Sequence, residues 1–189
     1  PFARLPEPTS LFFFFSERLR LLATTHHLGA YLRFLADLSD VQHIIQDGLA
    51  TPDVPAEDVR ERAREFGMPP LDRSRFVIEP VFETTLDRLF DGATSIAMPD
   101  NARAALLAAK DADVQVRDEM VRNVLADSIP IESLASHVYV AAALQVHFAR
   151  VASKLNAERL VPVGDGVCPV CGGPPVASVV VGWQNAANT

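Results

Sequence analysis

Apolar residues in this chain recur at three- and four-residue steps over most of its length, the spacing that gathers them on one face of an α-helix. The first such stretch is about 10–24, where Phe12, Phe15, Leu19 and Leu22 form a stripe. Thr9 or Ser10 can cap it, and Pro1, Pro6 and Pro8 keep the preceding arm extended. Phe13 and Phe14 fall off the stripe, so they either pack on the arm or a neighbouring helix or form a partner-facing patch. After Thr25-His26-His27 the pattern predicts a second helix over about 28–49, with Leu28, Tyr31, Leu32, Leu35, Leu38 and Ile45 inward. Pro55-Ala56-Glu57-Asp58 opens a third, with Pro early and acids in the first turn. Its Arg60, Arg62 and Arg64 alternate with Glu61 and Glu65 as a solvated, internally paired face. Gly67 ends it and Pro69-Pro70 blocks a restart.

Residues 71–78 read as a loop or one extended segment. Helices follow at about 79–91 (Val81, Phe82, Leu86, Leu89 and Phe90 apolar), 99–110 and 113–126. Asp111-Ala112-Asp113 caps the last of these, and Val114, Val116, Val121, Val124 and Leu125 are placed inside. The longest period runs over about 130–156, through Ile131, Leu134, Val138, Ala141, Leu144, Phe148, Val151 and Leu155. Ala141-Ala142-Ala143 lets neighbours approach closely, which marks this as the expected central helix. Beyond 156 the pattern changes. Leu160 to Val163 is short and extended, Gly164-Asp165-Gly166 turns, and Val176 to Val181 carries a strand signal bounded by Pro and Gly. The fold expected is therefore mainly α: a multi-helix bundle over 1–160, then the start of a β module over 161–189.

The candidate chemistry sits at that change of pattern. Val167-Cys168-Pro169-Val170-Cys171-Gly172-Gly173 holds both cysteines of the chain. A Cys-x-x-Cys followed by Gly has the form of a metal-binding knuckle, in which backbone N–H groups face the thiolates and Gly takes the positive φ of the turn. Cys168 and Cys171 would supply half of a four-ligand site. Thiol redox exchange is the weaker reading. It wants the second cysteine on a helix, and here Gly172, Gly173, Pro174 and Pro175 follow at once. A pair without a role is the third. His26, His27 and His43 have no partner at ligand spacing. His137 and His147, ten positions apart, stand about 80° apart around a helix axis, a poor shared metal face.

Composition narrows the function. The 189 residues are 49% hydrophobic and 22% charged, as in a globular protein. A formal net charge of −7 with no basic stripe opposes nucleic-acid binding. Two cysteines are too few for a disulfide scaffold, which points to a reducing compartment. No apolar run is long enough to span a bilayer, and Leu11 to Phe15 is cut off by Ser16, Glu17 and Arg18. The expectation is a cytoplasmic protein, neither exported nor anchored. No phosphate loop, Gly-x-Ser-x-Gly or His-Glu-x-x-His occurs, so binding and assembly are favoured over catalysis.

Several blocks carry a family resemblance. Pro1-Phe2-Ala3-Arg4-Leu5-Pro6, Tyr31-Leu32-Arg33-Phe34-Leu35, Ala141 to Phe148, and above all Cys168 to Ser178 resemble the formate dehydrogenase accessory (formation) protein family. The resemblance implies a non-enzymatic, chaperone-like cytoplasmic assembly factor with an N-terminal helical domain and C-terminal rubredoxin-like modules. It implies iron, with zinc as the alternative, at Cys-x-x-Cys knuckles, and the catalytic subunit of respiratory formate dehydrogenase as partner. A homodimer is left open. Onto this chain it carries Cys168 and Cys171 as two ligands of a first site, with 161–189 as the first knuckle and strand of a truncated rubredoxin-like module. The rivals are a zinc-ribbon nucleic-acid-binding protein and a Cys-x-x-Cys redox protein.

Overall fold

The computed structural model describes residues 3–175. Within them the chain forms α1 (Pro8–Ala23), α2 (Gly29–Ile44), α3 (Glu57–Glu65), α4 (Pro80–Ala93), α5 (Asp100–Lys110), α6 (Val114–Leu125) and α7 (Leu134–Ala152). Short 3-10 turns lie at Arg73–Arg75, Ile131–Ser133 and Ala157–Arg159. No strand occurs among the described residues, and the strand expected over 176–181 lies outside them.

The helix starts follow local chemistry. Pro8 and Pro80 occupy the first positions of α1 and α4, where the missing N–H has no bond to lose. Pro8 thus opens the helix rather than ending the arm. Asp113 caps α6 by accepting from Val116 N at 2.9 Å. Gly67, at φ +60°, ends α3, and Met68 N returns to Ala63 O at 2.7 Å.

α7 is the central helix. It packs against α1, α2, α4, α5 and α6. Its Tyr139, Val140, Ala143, Leu144 and Val146 are buried in one apolar core with Phe12, Leu38, Phe82, Leu86, Leu89, Phe90 and Leu106. Its alanines there, Ala142, Ala143 and Ala149, let neighbouring backbones close in. α1 and α2 form an antiparallel hairpin: Gly29 lies against Ala23, Arg20 against Asp37 and Asp40, and Phe13 against His43.

Several inward assignments are corrected by this packing. In α1 the buried face is Phe12, Ser16 and Ala23, while Phe15 and Leu22 face outward. The Phe run is apolar all round, so period alone does not fix the face; the small Ser16 and Ala23 do, because they let α2 approach. In α2 the buried set is Gly29, Ala36, Leu38, Ser39, Val41 and Gln42, and Leu28 and Tyr31 are half exposed. Gln42 turns inward because its Nε2 donates to Ala142 O and Gln145 Oε1, both at 2.9 Å. Val114 and Val116 of α6 and Ile131 and Leu134 are exposed as well. They sit at helix beginnings, beyond the reach of the core. α2 ends at Ile44 rather than near 49, and α7 begins at Leu134 rather than 130. The turn after α2 is held by cations instead. Arg150 donates to Leu49 O and Ala50 O at 2.9 Å each, Lys154 to Pro52 O at 2.7 Å, and Arg88 to Asp47 O at 2.7 Å.

Candidate metal centre

The knuckle is a closed turn. Cys168 N donates to Gly173 O at 2.8 Å and Gly172 N donates back to Cys168 O at 2.9 Å. Gly172 stands at φ +76°, a left-handed conformation that strains any side chain. A Cβ there would also come within 3.1 Å of Pro69 Cγ. Both cysteines are free of disulfide bonds and partly exposed.

The turn is docked on the helical body by residues 69–73. Leu71 N donates to Val170 O at 2.9 Å, and Arg73 N donates to Cys171 O at 3.2 Å. Val170 and Cys171 pack on a second apolar cluster made by Leu71, Val151, Ala152 and Leu155. Arg73 locks the arrangement. Its Nη2 donates to Val124 O at 2.9 Å and pairs with Asp127 at 3.3 Å, and its guanidinium lies where a Cβ on Gly173 would go. The knuckle therefore connects to α6 and α7 through one arginine and one short strip of chain.

The electrostatics favour one thiolate. The S–H of Cys171 donates to Cys168 and, with burial opposing, backbone N–H groups of Cys171 and Val170 and the charge of Arg73 help to draw the Cys168 thiol down to about 5. Cys171 is pushed up, because its proton is held by Cys168 and burial adds to the effect. The two sulfurs thus share one proton. A soft metal cation competes for that place, since metal binding to thiols releases protons. The pair is a two-donor set suited to zinc or iron. Among the described residues, no group of three or more His, Cys, Asp or Glu is placed to hold a metal ion.

The histidines lie elsewhere. The His26 and His27 rings lie tilted against each other with centroids 4.3 Å apart, and the His43 ring lies 6.1 Å from that of Phe13. His137 is buried and bonded, with Nδ1 at 2.7 Å from Ser133 O and Nε2 at 3.4 Å from Asn123 Nδ2. His147 is buried beside Phe76, Phe82 and Phe148. The two cysteines are legible in the sequence, whereas Leu71 and Arg73 are not. The single local signal there was Pro69-Pro70, which marks a break and not a docking strip.

Residues 1–165 match the family model described as FdhE, N-terminal. The chain is 43% identical over 187 residues to a protein FdhE homolog of Rhizobium meliloti (strain 1021), covering 98% of this chain. The chain belongs to the FdhE family. The resemblance carried by the cysteine block and the helical blocks thus named the right family. A second FdhE homolog, from Pseudomonas aeruginosa, is 32% identical over 168 residues, 87% of this chain. The crystal structure of the FdhE protein from Pseudomonas aeruginosa superposes with a TM-score of 0.79 at 30% identity over 94% of this chain. The helical architecture is therefore that of FdhE. The chain spans 61% of the Rhizobium meliloti relative, 53% of the Pseudomonas aeruginosa one and 62% of the crystallised chain. No helix among the described residues is long and apolar enough to cross a membrane.

Proposed function

We propose that this chain is a chaperone-like accessory factor that binds the immature catalytic subunit of a respiratory formate dehydrogenase in the cytoplasm. The observation that carries the reading is the hydrogen-bonded mounting of a Cys-x-x-Cys knuckle on a helical body through Leu71 and Arg73. That design presents a metal module and a helical surface to one partner together. Cys168 and Cys171 are two ligands of a tetrahedral site of the rubredoxin-like kind, holding iron, with zinc as the alternative. Bound metal would tie the knuckle to the remaining ligands of the module. The chain's own residues orient the two sulfurs and keep the first one ionised. Its role is recognition and not catalysis, and the net charge of −7 opposes nucleic acid as a partner.

The test is affinity capture of the catalytic subunit by the full-length, tagged protein, paired with elemental analysis. Capture by the wild type, with metal content falling in Cys168→Ser and Cys171→Ser, is the expected result. A wild type that captures no catalytic subunit overturns the reading.

A further inference from the structure

A cleft of about 710 Å³ opens between α3, the 66–79 segment and α7. That lies within the ~300–1,000 Å³ range of sites that enclose a compact ligand. Three features of its lining go beyond what the fold needs. The first is His147, 9% exposed, with Phe76, Phe82 and Phe148 ring centroids at 5.3, 5.5 and 5.9 Å. Its Nδ1 has no hydrogen-bond partner among the described residues. That nitrogen is itself closed off from solvent, so an occupant of the cleft meets the ring and not this atom. The second is the mouth. Val59, Phe66 and Val77 stay 52%, 64% and 70% exposed around it, an apolar surface that pairs with nothing among the described residues. The third is charge. Asp72 and Arg75 pair with each other at 3.5 Å. Asp53, Asp58 and Glu79 make no ion pair among the described residues, and Arg62 is the basic residue set against them. The rim is thus acidic.

We propose that this cleft receives an extended segment of the client polypeptide in which basic and apolar side chains alternate. The proposal rests on the reading above that the chain engages an immature polypeptide. Side chains of an extended strand point alternately to opposite sides. Its apolar residues would cover Phe66 and Val77, and its basic residues would meet the rim carboxylates. The three carboxylates come from three separate stretches: the turn before α3, α3 itself, and the residue before α4. That spread suits an elongated occupant over a compact cation. The strip at Pro69–Asp72 lines the cleft on one side and carries the knuckle through Leu71 on the other. A peptide seated here would lie next to the cysteine pair.

The experiment is fluorescence anisotropy on the full chain with two labelled hexapeptides, Gly-Arg-Leu-Arg-Phe-Gly and the same peptide with Glu for both Arg. The arginine peptide binds roughly tenfold or more tightly than the glutamate one, and salt weakens it. Asp58→Asn, which removes an unpaired carboxylate of the rim, lowers the affinity severalfold. Val59→Trp, at an exposed position of α3, blocks the mouth without touching the core and abolishes binding. Equal binding of the two peptides, or binding unchanged by both variants, overturns the proposal. Capture of the catalytic subunit, run in parallel, separates the two claims. Capture that persists without peptide binding overturns the cleft alone. Peptide binding that persists without capture supports the cleft as a peptide site and removes the assigned client.

Discussion

Replacing His147 by phenylalanine should flatten the acid side of the stability curve. His147 is buried against three phenylalanine rings, and Nδ1 has no hydrogen-bond partner among the described residues. Burial pushes its pKa down from 6.5 to about 4, and the nearby charge of Arg150 adds to the effect. A base with a depressed folded pKa contributes fully above its unfolded value. Below pH 6.5 the unfolded chain takes up a proton that the folded chain refuses, and this continues until about pH 4. Each pH unit in that window removes about 1.4 kcal/mol, or roughly 3 kcal/mol in all. That is a large share of the ~5–15 kcal/mol that holds a domain together. Urea unfolding from pH 7 to pH 4 measures it. The wild type should lose roughly 3 kcal/mol more than His147→Phe over this range. Asp40 does not blur the comparison. Burial raises its pKa, hydrogen bonds from Arg20 and Ser16 outweigh that, and its titration falls below the ordinary 3.8. Parallel pH profiles for the two proteins would refute the reasoning.

Three further outcomes are expected. Gly29→Ala places a Cβ 2.6 Å from Ala23 O, a backbone atom that moves only if the α1–α2 joint opens. A loss of about 1–3 kcal/mol in urea unfolding is expected, and an unchanged midpoint counts against the close approach. Arg73→Gln removes the bond to Val124 O and the pair with Asp127. Amide exchange at Cys168 and Gly172 should quicken severalfold while α1 and α2 stay protected; uniform exchange across the chain would mean that Arg73 does not anchor the knuckle. Phe12→Ala, at a 1% exposed site, should cost about 3–5 kcal/mol. Phe14→Ala, at a 63% exposed site, should stay within about 0.5 kcal/mol, and equal losses from the two would contradict the outward placement of Phe14.

The sequence by itself determined the helices and the knuckle. Helical period, Pro at a first position, an Asp cap and a Gly stop act between residues a few positions apart, so each is written where it operates. The turn of Cys168 to Gly173 is local in the same way, with both of its closing hydrogen bonds made inside the motif. Tertiary structure decided what those elements face. Ser16 and Ala23 on α1, and Gln42 on α2, turn inward only because a second helix lies within contact distance. Leu71 meets Val170 and Arg73 meets Val124 across stretches of chain that no short-range pattern spans. His147 is an ordinary helix residue by period. Its burial without a bond, at the wall of the cleft, comes from Phe76 and Phe82, which arrive from before and within α4. Hydrogen bonds along a helix are set by near neighbours, whereas desolvation depends on whichever distant groups displace the water.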